Sequence, residues 1–412
     1  MNGRLYYDDP YLTRFAAQVV ERLEWEGRPA VILDQSAFYP TGGGQPNDTG
    51  TLGPLSSADQ VAVVEVVERE ADGQVVHILA APLAAEQVEG QINWERRFDL
   101  MQQHSGQHLL SAAFVECCAS NTTSFHLALD YASIDLDHAP LSAQDLAGTE
   151  RLVNQVVFDN RPVSTRFVPG QEIPSLPLRK PIVHPGPVRI VEVPGFDCSA
   201  CGGTHVRATG EIGLIKLVRA ERRGEETRVE FRCGWRALAD YDQKNTLLLD
   251  LAREQSVGWW ELSEAVGRFD AEIKNARREL RRAHDALLDA EAEALWQAAT
   301  VAPGDQARVV RAHLAGRSPD ELKLLAQRLA TRPQTAILLG AGTPGDKGHL
   351  VFARSADLPV HVGTLLGQAC GLIGGRGGGR PEFAQGGAPD GGRINEALEF
   401  ALESLVKSMR DA

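Results

Sequence analysis

Two short clusters of histidine and cysteine hold the residues best suited to chemistry. In HSGQH, His104 and His108 stand four apart. A helix there sets both imidazoles on one face, within reach of a single ion. Much further along, CSACGGTH (198 to 205) places Cys201 and His205 around Gly-Gly-Thr. Its glycines permit a tight turn that folds both side chains toward one point. Three imidazoles and one thiolate make a four-ligand set suited to Zn²⁺. Cys198 has zinc-knuckle spacing to Cys201, yet CGGTH already supplies two ligands, so Cys198 is read as a thiol beside the site or merely buried. His126, His138 and His184 lack any such pairing. Two uses are open to the ion: four protein ligands close a structural site, whereas a fifth ligand from substrate gives it a part in catalysis.

A third segment, FYPTGGGQPNDTG (38 to 50), is too rich in Gly and Pro to be regular. Glycines such as Gly43 and Gly44 let backbone N–H groups line a cavity and let a ligand approach closely. Thr41 and Gln45 add a hydroxyl and an amide. Such a loop either holds the carboxyl-ester end of an acyl group or turns a corner.

The elements that must position these residues give an α+β chain. Residues 1–90 read as short β-branched strands, with ADG as a hairpin signal, and are expected to form a small β-barrel. Residues 91–234 read as an α+β domain. Its first helix runs from about Trp94 to Cys118, another spans AQDLAGTERLVNQVVFDN, and strands follow at VSTRFV, VRIVEV, GLIKLV and TRVEFRCG. Residues 235–300, almost free of Gly and Pro, read as one long helix or a helical hairpin, a spacer or dimerisation arm. VAPGDQ (301 to 306) marks a boundary, and 301–412 form a C-terminal α/β unit. There GGRGGGRPEFAQGGAPDGG (374 to 392) lies between two helices and carries Arg376 and Arg380.

Composition narrows the setting. The 412 residues are 43% hydrophobic and 24% charged, as in ordinary globular proteins. No apolar run nears the ~20 residues that span a bilayer, and MNGRLYYDDPYL lacks the order of a signal peptide. A cytoplasmic protein without a membrane partner is therefore expected, its six cysteines reduced. The net charge of −13 opposes sequence-blind adhesion to nucleic acid. Local basic patches such as ARRELRRAH (276 to 284) and RAERRGEETRVEFR (219 to 232) leave room for an RNA partner.

Taken in order, LDQSAFYPTGGGQPNDTG (33 to 50), QQHSGQHLLS (102 to 111) and DCSACGGTHV (197 to 206) resemble the editing domain of alanyl-tRNA synthetases and the free-standing AlaX editing proteins. GLIGGRGGGRPEFAQGGA (371 to 388) resembles the DHH-associated C-terminal domain of the same synthetases and of the longer AlaX proteins. The resemblance implies a hydrolase that deacylates mischarged tRNA(Ala), chiefly Ser-tRNA(Ala) and also Gly-tRNA(Ala), and spares Ala-tRNA(Ala). It implies zinc on His104, His108, Cys201 and His205, and places Thr41 and Gln45 against the substrate. Ser36 stands where related sequences usually carry Thr. Gly43, Gly44, Arg376, Arg380 and Arg393 complete the expected contacts, the arginines serving as phosphate contacts or as loop-anchoring ion pairs. A homodimer through the C-terminal part, nucleotide binding and ATP binding are further expectations; the aminoacylation domain has no counterpart in this reading.

Two other readings stand beside it. A zinc hydrolase of small molecules or peptides is disfavoured because no HExxH supplies a glutamate base. A non-catalytic tRNA-binding protein with a structural zinc fits the closed ligand set. A DHH phosphoesterase would need an N-terminal DHH motif, which is missing.

Overall fold

A computed structural model of the chain describes residues 3–55, 58–138, 140–302 and 307–410. They fall into two units, residues 1–254 and 255–412. The boundary read at VAPGDQ lies largely at 303–306, outside the described residues.

After a short lead-in, the first unit forms six strands, neighbours in the order Arg14–Trp25, Arg28–Leu33, Gln74–Leu79, Val61–Arg69, Gly50–Pro54 and Gln87–Ile92. The last pairs antiparallel with the first, Gln91 opposite Arg14, so the sheet closes on itself as a barrel. Closure removes the exposed strand edges that would otherwise invite mispairing. Phe15, Val31, Leu33, Phe38, Leu52, Val66 and Val88 fill its core. Between Ser36 and Gly50 the chain leaves the sheet as the glycine loop.

From the barrel the chain enters a helix, Trp94–Cys118, whose start is capped by the Asn93 side chain accepting from Arg96 N–H. From Leu100 to Phe114 every residue of this helix is buried. It packs beside the helix Ala143–Phe158 and against a four-stranded sheet, Ile215–Arg223, Glu226–Cys233, Ala132–Leu136 and Thr122–Leu127. Ser142 and Asp145 form a reciprocal capping box at the start of the second helix. A smaller sheet, Ser164–Val168, Val188–Val193 and Asp197–Ala200, carries the chain to CGGTH. The segment read as a spacer is two helices, Gly234–Glu254 and Leu262–Gln297, interrupted near Trp259–Glu261.

The second unit is built on a six-stranded sheet in the order Thr300–Val301, Arg308–His313, Thr335–Ala341, Gly348–Arg354, Phe383–Ala388 and Arg376–Gly379. Only Arg308–His313 and Thr335–Ala341 run parallel, joined through the helix Pro319–Leu329 that Ser318 caps. The glycine cluster contributes the last two strands, a pairing that β-propensity does not announce. The helix Val362–Leu372 lies so close behind it that a Cβ on Gly377 would stand 2.5 Å from Leu366, and one on Gly386 2.5 Å from the Cys370 sulfur. Glycine is there for close packing, as well as for any contact Arg376 makes.

One buried ion pair ties the barrel to the helix Trp94–Cys118. Arg97 and Asp48 are both fully buried. Arg97 Nε donates to Asp48 Oδ1 at 2.8 Å and Nη2 donates to Asp48 Oδ2. Nη1 also donates to the carbonyl of Pro10 (2.7 Å) and Nη2 to that of Ala37 (2.6 Å). Removing one partner strands a charge in the interior, which costs about 3–5 kcal/mol. Arg97→Met should therefore lower the urea-unfolding free energy of the first unit by about that amount. A loss under about 1 kcal/mol would mean the charges are solvated.

A candidate metal centre in a polar cleft

From Leu100 to Phe114 the helix Trp94–Cys118 is buried on all sides, so its polar side chains there must find partners inside. Gln103 Nε2 donates to Cys233 O (3.1 Å) and Gln103 Oε1 accepts from Cys233 N–H (2.9 Å), completing a strand end. A second polar stripe, His104, Gln107, His108 and Ser111, follows the i, i+3, i+4, i+7 spacing of one helix face.

Opposite that stripe stands the CGGTH turn. The four sequence-predicted ligands, His104, His108, Cys201 and His205, converge, with one donor atom from each lying within 4.8 Å of the others. Cys201 Sγ is 3.4 Å from His104 Nε2 and 3.3 Å from His205 Nε2. A tetrahedral zinc with arms of about 2.3 and 2.0 Å has edges of roughly 3.5 Å, so the spacing fits a metal ion. Gly203 makes this possible, for a Cβ there would stand 2.2 Å from His104 Cε1.

Each imidazole is oriented from behind. Gln45 Oε1 accepts from His104 Nδ1 at 2.7 Å, Asp197 Oδ2 accepts from His108 Nδ1 at 3.0 Å, and Ser105 Oγ lies 3.1 Å from His205 Nδ1. With Nδ1 occupied in all three, Nε2 is the nitrogen that His104 and His205 present to Cys201. Outer partners of this kind fix tautomer and ring plane in metal sites. They are the chemical argument that these residues fit a metal.

The electrostatics favour a thiolate at Cys201. Burial opposes ionisation of Cys201, but the imidazoles of His104 and His205 hold its pKa well below the ordinary thiol value. Burial alone would lower His108; Asp197 and Cys201 outweigh it and raise its pKa to about 9. His205 is pushed down to about 3 by burial. Asp197 stays below the usual carboxylate range against burial because His108 and Arg179 face it.

Beside the cluster opens a cleft of about 340 Å³, lined by Gly43, His104, Gln107, His108, Phe125 and Cys201 on one side and by Arg179, Lys180 and Ile182 on another. Gly43 and Gly44 have φ of 57° and 83° and form the tight turn between Gly42 and Gln45. Gly44 packs against Phe125. Gln45 is fully buried, its amide shared between His104 and Thr204. Thr41 is exposed, and its hydroxyl pairs with Asn47 Oδ1 at 3.2 Å. Ser36 is buried in a barrel network, 2.7 Å from His77 Nε2 and accepting from Phe38 N–H. Cys198 packs among Val168 and Ile190, on the strand face opposite Asp197 and Ser199. Arg376 and Arg380 are exposed on the second unit's glycine hairpin, and Arg393 is paired with Glu396 at 2.7 Å.

Asp197, Ser105, Gln107 and Arg179 were not singled out in the sequence. Gln107 had a visible signal, the polar spacing it shares with His104 and Ser111. Asp197 and Arg179 had none, since their meeting depends on how a long connection folds back.

Three family models match the chain. One for the threonyl and alanyl tRNA synthetase second additional domain covers residues 188–230. The DHHA1 domain covers 306–407. The model for class II (A) tRNA synthetases covers 11–96, the barrel and the first turn of the next helix. An alanine–tRNA ligase of Methanoregula boonei is 35% identical over 99% of this chain and 44% of its own length. That of Pyrococcus furiosus is 33% identical over 97% and 43%. The chain thus spans less than half of these ligases. The alanyl-tRNA editing protein AlaX-L of Pyrococcus horikoshii is 30% identical over 98% of both chains. Among solved structures, the C-Ala domain of Aquifex aeolicus alanyl-tRNA synthetase matches 25% of this chain and 93% of its own, at 24% identity and a TM-score of 0.23.

Two predictions follow. If the cluster takes zinc, as its donor set implies, the native chain should bind one equivalent and Cys201→Ser far less, and Asp197→Asn should bind it about 10- to 100-fold more weakly in competition with a chelator. Equal affinity in Asp197→Asn would remove the carboxylate's part. The other concerns His77, fully buried, whose pKa burial lowers to about 4. Between about 6.5 and 4 the unfolded chain takes a proton that the folded barrel refuses, so stability is lost as pH falls through that window. The slope is at most about 1.4 kcal/mol per pH unit. His77→Gln should flatten that part of the acid-unfolding curve; an unchanged slope would show that His77 titrates freely.

Proposed function

We propose, from the premise that the chain belongs to the alanyl-tRNA editing protein family, that it hydrolyses the aminoacyl ester of mischarged tRNA(Ala). Seryl esters are the chief substrate, glycyl esters a second, and alanyl esters are spared. The observation that carries this reading is the metal-fitting cluster at the wall of a polar cleft, with each ligand held from behind.

An aminoacyl ester is already activated, so the protein's work is orientation and stabilisation of a tetrahedral oxyanion. Gln45 holds His104 and the CGGTH turn in register, and Asp197 and Ser105 hold the other two rings. The Gly43–Gly44 turn brings bare backbone to the cleft, with Thr41 and Asn47 bracing the loop from outside. Zn²⁺ bound by His104, His108, Cys201 and His205 would supply Lewis acidity at the cleft wall. Gln107, its amide nitrogen fixed on Ser111 at 2.8 Å, lines the cleft as a polar group able to pair with a seryl hydroxyl. A polar group so placed is left unpaired by an alanyl side chain, which gives the selectivity its direction.

The exposed Arg376 and Arg380 serve as tRNA phosphate contacts in this reading, and a homodimer through the second unit and a cytoplasmic location belong to it. Among the described residues no helix is long and apolar enough to cross a membrane. The closed four-ligand set also favours a second reading, a tRNA-binding protein with a structural zinc. One assay separates them: deacylation of Ser-, Gly- and Ala-tRNA(Ala), with and without a chelator. Seryl ester should turn over roughly 100-fold or more faster than alanyl ester. Hydrolysis of none of the three would leave only the structural reading.

A further inference from the structure

Between the paired strands Ser164–Val168 and Val188–Val193 the chain makes a long excursion, and its far side, Arg179 to Ile182, forms one wall of the cleft. The excursion is anchored. Arg179 N–H donates to Cys198 O at 2.9 Å, which stitches it to the edge of the strand Asp197–Ala200. Arg179 Nε donates to Asp197 Oδ1 at 2.8 Å and Nη2 to Ser199 Oγ at 3.0 Å. Asp197 is the carboxylate that also holds His108. One side chain therefore sets the distance between the cation wall and the metal-fitting cluster.

Lys180 comes next, exposed and without an ion-pair partner among the described residues. It precedes Pro181, and a residue before proline is confined to extended backbone. The ammonium is thus carried at the cleft mouth on a backbone position with fewer choices of conformation. In a chain of net charge −13, an unpaired lysine beside the candidate site is a local reversal of sign. The neighbouring Arg179 is committed to Asp197, so Lys180 is the cation left for an incoming ligand.

We infer that Arg179 and Lys180 form a phosphodiester subsite, in which Lys180 grips the phosphate that precedes the terminal aminoacylated nucleoside while Arg179 fixes the wall relative to the cluster. The subsite rests on the editing reading and adds to it a rule of substrate choice: the cleft prefers an aminoacyl ester on a nucleic-acid end to the same ester on a free nucleoside.

The test uses the full chain and three esters: 3′-seryl-adenosine, the 3′-seryl ester of the dinucleotide CpA, and the same dinucleotide ester with an uncharged methylphosphonate linkage. In the native protein the charged dinucleotide should have a KM about tenfold below that of its methylphosphonate twin, the worth of one charge-assisted hydrogen bond, with kcat unchanged. Lys180→Ala should abolish that difference, leave 3′-seryl-adenosine hydrolysis and metal content as they were, and reduce the salt slope of tRNA binding by about one. Lys180→Arg should restore the difference. A native preference that persists in Lys180→Ala, or no preference in the native protein, would overturn the subsite while leaving the editing reading intact. If the native protein hydrolyses none of the three, nor intact seryl-tRNA, the editing reading fails, and the subsite with it.

Discussion

Taking a guanidinium and a carboxylate out of water strips both of hydration, and the pair survives in an interior only when every remaining donor is also met. At Arg97 and Asp48 all three guanidinium nitrogens and both carboxylate oxygens have a partner. The guanidinium reaches Asp48 and the carbonyls of Pro10 and Ala37, while Asp48 also accepts from Tyr39 N–H at 2.6 Å. Four stretches of chain are thereby joined: the segment before the barrel, both ends of the glycine loop, and the helix Trp94–Cys118. The register is consequential because Gln45 sits inside that loop and His104 two turns further along that helix. Their 2.7 Å contact is possible only if loop and helix are pinned nearby.

Along the helix the same economy of partners repeats. Ser105 touches His205 Nδ1 and also accepts from Val206 N–H, so it serves both the ring and the backbone that carries it. Gln45 holds His104 with one atom and receives Thr204 N–H on the same oxygen. Asp197 divides its two oxygens between His108 and Arg179. A fully buried helix would ordinarily be apolar throughout. This one spends its interior on polar groups because each has a fixed acceptor or donor across the gap, and the reward is a set of rings with little freedom to turn.

Much of this was legible from residue types. An i, i+4 histidine pair on a helix and a Cys-Gly-Gly-Thr-His turn need no tertiary knowledge to be read as two halves of one ligand set, and the helix from about Trp94 to Cys118 followed from an apolar stripe. What stood behind the ligands was not legible. Asp197 adjoins Cys198 in sequence, but strand alternation sends one toward His108 and the other into Val168 and Ile190. Thr41 and Gln45 were read together as a hydroxyl and an amide on one glycine-rich loop; the turn at Gly43–Gly44 buries Gln45 and leaves Thr41 outside, bonded to Asn47. Ser36 offered a hydroxyl that the structure gives to His77. The glycine hairpin of the second unit escaped because its strands are dictated by a helix packed behind them, and no side-chain propensity records that.

The separation of the two ligand halves has a consequence for how the molecule is made. His104 precedes Cys201 by 97 residues, and Gln45 precedes Thr204 by 159. At a synthesis rate of ~5–20 residues per second, the histidine half waits roughly 5–20 s for its sulfur. During that interval the nascent chain holds two imidazoles on an incompletely packed helix, a poor trap for any ion. Metal capture at this cluster would therefore be a closing event of folding, in contrast to zinc ribbons whose neighbouring cysteines seize the ion first and fold around it. A chain that stalls before residue 201 has nothing to mis-metallate, and the finished cluster certifies that barrel, helix and CGGTH turn have all arrived.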